Sequence, residues 1–161
     1  MRMSERALGA AAWVLVAGAA LADAPPLSID QALAESMAQQ CVARSRANAW
    51  PPFSIAVVDA SGALVLLRRQ DGASSVTAEA ALLKARTAMR FGAPTAALEA
   101  MSQDAPSRDL MLLLQLTDDP GGVPLKAGGR IIGAVGVSGG AAAQDVGCAN
   151  LAIAALGSET K

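Results

Sequence analysis

GGVPLKAGGRIIGAVGVSGGAAAQDVGCANLAIAAL, residues 121–156, reads as strand, tight turn, strand, glycine-rich corner and helix. Val123 to Ala127 is a short extended segment interrupted by Pro124, which suits a sheet edge. Gly128-Gly129 can supply the backbone of a hairpin turn. Arg130 to Val137 is almost free of polar residues, as expected of a strand buried on both faces. Gly133 and Gly136 within it leave room for a close neighbour. Ser138-Gly139-Gly140 then turns the chain into a helix whose free N–H groups can hold an anion.

Upstream, Ser28 and Gln31 have the spacing of a capping box, predicting a helix from about Ile29 to Asn48 that ends before Pro51-Pro52. Leu33, Met37 and Cys41 recur at helical spacing and mark its buried stripe. Ser54 to Val58 and Leu64 to Arg68 flank Asp59-Ala60-Ser61-Gly62, the composition of a β-hairpin. A second helix is expected from about Ser74 to Phe91, with Ala78, Ala81, Leu82, Ala85 and Met89 on its apolar face. Ala93-Pro94 stops it. Thr95 to Ser102 is expected to be a short helix and Asp104 to Ser107 a loop. Leu110 to Leu116 fits helix or strand by periodicity, and a strand is expected over its second half. Hairpin-linked strands between helices predict a mostly antiparallel sheet covered by helices.

The chain has 161 residues, which favours one domain. Its start is set apart. Arg2 and Arg6 precede an apolar run from Ala7 to Ala22 ending Ala20-Leu21-Ala22, the pattern of a cleaved signal peptide over residues 1–22. The domain is then residues 23–161, periplasmic or secreted. The mature chain carries 11 basic against 13 acidic residues, a net charge of −2 once Arg2, Arg6 and Glu5 are removed. No basic patch or basic amphipathic helix points to nucleic acid or to a membrane surface after cleavage. The chain has no His and no Tyr, and aromatics make up 2% of it. Ser-His-Asp and Cys-His catalysis, His-ligated metal and proximal-His haem are thereby excluded. Gly136-Val137-Ser138-Gly139-Gly140 matches the G-x-S-x-G nucleophile elbow. With no His to deprotonate Ser138, a glycine corner or ligand-binding loop is the better reading, and no catalytic residue is assigned.

The run GGVPL, then GRIIGAVGVSGG, then Gln144-Asp145, together with IAVVDASGALVLLRRQDGA and the helix containing ALLKARTA, resembles the GlcG/HbpS-like haem-binding domains, also labelled haem-degrading. The same domain type occurs at the C-terminus of PduO-type corrinoid adenosyltransferases. The resemblance covers nearly the whole chain after Pro25. It implies an α/β fold, a profilin-like or PAS-like sandwich with a five-stranded, mostly antiparallel sheet. It also implies a homo-oligomer and a ligand cleft beside the glycine-rich strands. Asp71, Lys84, Thr87, Gly121, Gly122, Ser138 and Gly139 are the residues this places around the ligand. Lys84 would offer a point charge to a carboxylate and Thr87 a hydroxyl one turn on; alternatively Lys84 pairs structurally with Asp71 or Asp145. Asp145, near the start of the last helix, fits the helix dipole, and Arg68-Arg69 fit a solvated sheet edge.

The ligand implied is haem, another tetrapyrrole or a small carboxylate, although no His, Tyr or C-x-x-C-H motif is present to hold haem. The cofactor is otherwise unassigned, and no metal site is expected. A haem-degrading or small-metabolite enzyme and a passive oligomeric assembly module are the alternatives. Cys41 and Cys148 are the only cysteines. In an exported protein such a pair reads as a disulfide. Cys41 lies on the buried stripe of the first helix and Cys148 on the apolar side of the last, so the bridge requires both helices on one sheet face.

Overall fold

A computed structural model of the chain describes residues 28–159; the expected signal segment lies outside them. The elements run α1 (Gln31–Ala47), β1 (Ser54–Asp59), β2 (Leu64–Arg69), α2 (Ser75–Phe91), a 3-10 turn (Thr95–Leu98), α3 (Glu99–Gln103), α4 (Ala105–Leu113), β3 (Gly122–Ala127), β4 (Arg130–Ser138) and α5 (Ala142–Glu159). The strands form one antiparallel sheet in the order β2-β1-β4-β3. β2 and β3 are edges, as Arg68-Arg69 and Pro124 led one to expect.

The period-two alternation of the central strands sorts their side chains between two layers. Ile55, Val57, Val135 and Val137 join Leu33, Met37 and Cys41 of α1 and Cys148, Ala149 and Ala152 of α5 in the larger core. Ala56, Val58 and Ala134 face Ala81, Ala85 and Ala88 of α2. The second face is built from small residues, so the helix backbone comes close to the sheet. A Cβ at Gly136 would lie 2.1 Å from the Ala81 carbonyl oxygen, so only glycine fits there. Because α1 and α5 share a face, Cys41 and Cys148 meet, with Cα atoms 5.0 Å apart, as a disulfide.

The expected fifth strand is absent: the sheet of the described residues has four. Leu110–Leu113 is helical, in α4. The Asp104 carboxylate accepts from the Ser107 N–H at 3.1 Å, capping that helix, and Pro106 occupies its first turn. Asp104–Ser107, read as a loop, is therefore a helix start. A continuous apolar run carries no period to separate helix from strand, and here the cap decided. At α1 the cap is Asp30, which accepts from the Leu33 N–H at 2.8 Å, and not Ser28.

Candidate functional site

Lys84 stands midway along α2 and is only 2% exposed. Its ammonium lies 2.7 Å from Asp119 Oδ2 and 3.2 Å from Asp145 Oδ2. A buried ammonium needs such compensation, and the two carboxylates supply it. The second Asp145 oxygen accepts from the Gly140 N–H at 2.9 Å, while Gln144 accepts from the Ala141 N–H at 2.9 Å. The amides at the helix entry, expected to be free for an anion, are thus occupied by side chains of α5 itself. Burial pushes the Asp145 carboxyl above its ordinary value, opposed by the Gly140 N–H and by Lys84.

Around this ion cluster the strand β3 is held close. At Gly121, with φ of 122°, a Cβ would come within 2.5 Å of the Val137 carbonyl oxygen and 3.4 Å of Lys84 Nζ. The Gly122 N–H donates to Thr95 Oγ1 at 3.1 Å, and that hydroxyl donates to the Asp119 carbonyl at 2.7 Å. The Thr117 N–H donates to Thr87 Oγ1 at 3.2 Å. Lys84, Gly121 and Gly122 therefore lie together, with Thr87 one turn along α2 bonded to Thr117. Their polar atoms are engaged by Asp119, Asp145, Thr95 and Thr117. Pairing of Lys84 with Asp145, one of the two structural alternatives, is present; Asp71 is elsewhere.

Ser138 is buried at the end of β4 opposite Ser54, and Gly139 packs on the backbone of Pro52 and Phe53. Asp71 is exposed and, with Pro52, lines an open groove of about 470 Å³ between the end of α1 and the end of β2. Arg46, Arg68 and Arg69 converge on that groove, and Trp50 and Val42 give it apolar wall. Arg68 pairs with Glu35 at 2.7 Å. Arg69 donates to the Ala73 carbonyl, which leaves its charge uncompensated by a carboxylate. The Arg46 carbonyl accepts from the Ala49 N–H at 3.4 Å, but its guanidinium makes no hydrogen bond or ion pair among the described residues. The groove thus sets three guanidinium groups against the Asp71 carboxylate, and among the described residues neither Arg46 nor Arg69 forms an ion pair, in a chain whose net charge is −1.

Groove and ion cluster are connected. Trp50, Pro51 and Phe53 enclose a small cavity with Gly140, Gln144, Asp145 and Cys148. Lys84 therefore fixes Asp145, Asp145 fixes the entry to α5, and that entry packs beneath the wall of the groove. Arg46 and Trp50 went unnoticed in the sequence, and Arg68-Arg69 read as a solvated edge. The available signal was a basic last turn on α1 followed two elements later by a basic strand end.

The family model described as "Haem degrading protein HbpS-like" matches residues 29–154. Protein GlcG of Escherichia coli strain K12 is 38% identical over 110 residues, spanning 66% of this chain and 81% of that protein. The crystal structure titled PduOC:Heme Complex superposes with a TM-score of 0.74 at 29% identity, covering 80% of this chain and 95% of that one. A double mutant of HbpS from Streptomyces reticuli superposes with a TM-score of 0.72 at 29% identity, covering 92% and 99%.

Proposed function

Since the chain belongs to the HbpS-like family of haem-degrading proteins, we propose that it is an exported small-ligand-binding protein whose ligand is a tetrapyrrole or a small carboxylate. The observation that carries this reading is the groove of about 470 Å³ with Arg46 and Arg69 uncompensated beside Trp50. Its size suits a small organic ligand, and few polar groups against an apolar wall are what such sites use to fix orientation. Guanidinium groups bind carboxylates in a forked geometry, and an indole face stacks on a flat ring. A family neighbour solved as a haem complex supports the tetrapyrrole side of the reading.

Of the residues expected around the ligand, Asp71 lies in the groove, and Gly139 packs on Pro52, one of its wall residues. Lys84, Thr87, Gly121, Gly122 and Ser138 would act from beneath, by setting the sheet end and the α5 entry on which that wall rests. The three-layer arrangement is read as the profilin-like or PAS-like type. The assembly is a homo-oligomer, supported by Leu112 and Leu113 of α4, which are 70% and 79% exposed.

Native mass spectrometry of the protein purified from its own host tests this reading. A bound organic molecule on a chain beginning at Asp23 is expected, and following that molecule over time separates carriage from degradation. Protein recovered empty under conditions that preserve the oligomer would overturn the binding function, and an intact Met1 would overturn export.

A further inference from the structure

Resting on that reading, we infer that the groove recognises a tetrapyrrole through its carboxylates alone, with no bond between the protein and a central metal. Haem is a flat macrocycle carrying two propionates. Iron in haem proteins is held by His, Cys thiolate, Met or Tyr. None of these lines the groove.

Elsewhere in the chain these donors are absent or committed. The sequence contains no His and no Tyr. Both thiols are consumed in the Cys41–Cys148 disulfide. Met37 is fully buried in the main core, and Met111 is buried in a small cluster against which Met101 packs. The Met89 methyl fills the space over Gly62, and Met1 and Met3 fall in the expected signal segment. Lys84 is held by two carboxylates.

What the groove does offer matches the other end of the molecule. Arg46 and Arg69 provide two cationic forks, and Trp50, half-buried against the main core, lines the same groove and gives it apolar wall for the ring. A site built this way reads the two propionates and the planar ring, so it does not distinguish haem from the same ring without iron.

Titration of the purified protein with haem, with metal-free protoporphyrin and with the dimethyl ester of protoporphyrin tests the inference. Quenching of Trp50, the single tryptophan of residues 23–161, reports occupancy. Haem and metal-free protoporphyrin are expected to bind with affinities within about threefold of each other. The ester, lacking carboxylates, is expected to lose at least about tenfold. Arg46→Ala together with Arg69→Ala should weaken both free acids by tenfold or more, with the melting curve unchanged to show that the fold is intact.

Haem binding more than about tenfold tighter than the metal-free ring would overturn the inference and leave the binding function standing. Binding of neither porphyrin would overturn both the inference and the tetrapyrrole reading beneath it.

Discussion

Lys84 illustrates how one buried charge organises its surroundings. Removing it strands Asp145, which is 4% exposed, without its counter-charge, so Lys84→Met is expected to cost roughly 3–5 kcal/mol at neutral pH. The pH dependence has a definite sign. A carboxyl whose folded-state value is raised binds more protons in the folded than in the unfolded state, so its contribution to stability declines as pH rises above 3.8 through the raised value. Losing the ammonium raises that value further. The melting-temperature gap between wild type and Lys84→Met should therefore narrow on acidification to about pH 4.5. A gap of constant width would show that Asp145 does not titrate in the fold. Asp145→Asn should similarly flatten the profile in that window. Asp59 and Asp104 act in the opposite sense. Hydrogen bonds from Ser61 and Ser107 hold them below the ordinary value, so their contribution is present above 3.8 and lost as pH falls through the lowered values.

The helices bind to the sheet by two different means. α1 and α5 are joined covalently and through a core of larger side chains. The disulfide closes a sequence separation of 107 residues, for which the chain-entropy model gives roughly 4–5 kcal/mol. Reduction, or the Cys41→Ser and Cys148→Ser pair, should lower the melting temperature by several degrees or more. Differential scanning calorimetry with and without reductant measures it. α2 is held by close approach. Gly136→Val would drive a side chain into the Ala81 carbonyl, and a loss of about 1–3 kcal/mol is expected on denaturant titration. Equal stability of the variant would mean that α2 is free to move away from β4.

Charge and apolar surface are distributed unevenly over the whole molecule. The groove beside α1 and β2 is cationic, whereas a second depression of about 370 Å³ near Lys84 is bordered by Glu99, Asp118 and Asp119. An anionic ligand is therefore directed to the first and away from the second. The exposed leucines of α4 lie beside another depression of about 590 Å³ lined by Phe91, Leu113, Leu114 and Leu116. If this surface closes the oligomer, Leu112→Asp with Leu113→Asp should give a monomer by light scattering after gel filtration, with an unchanged circular dichroism spectrum. Retention of the wild-type mass would place the interface elsewhere.

Most of the elements could be read from local pattern, whereas the disulfide also needed α1 and α5 on one face of the sheet. Alternation in β1 and β4, the Leu33–Met37–Cys41 stripe, the glycine hairpin and Pro94 each report a preference that holds before the chain folds. Two features could not be read this way. Residues 110–116 lack a period, so the helix there followed from the Asp104 cap and from partners supplied by the 3-10 turn and α3. The placement of the charges was likewise tertiary: Asp119 and Asp145 reach Lys84 from 35 and 61 residues away, and Arg46 and Arg69 line one groove from a helix end and an edge strand. A sequence fixes which groups carry charge and which faces are apolar. Which charges neutralise one another, and which are left over for a ligand, depends on distances that exist only once helices have packed on both faces of the sheet.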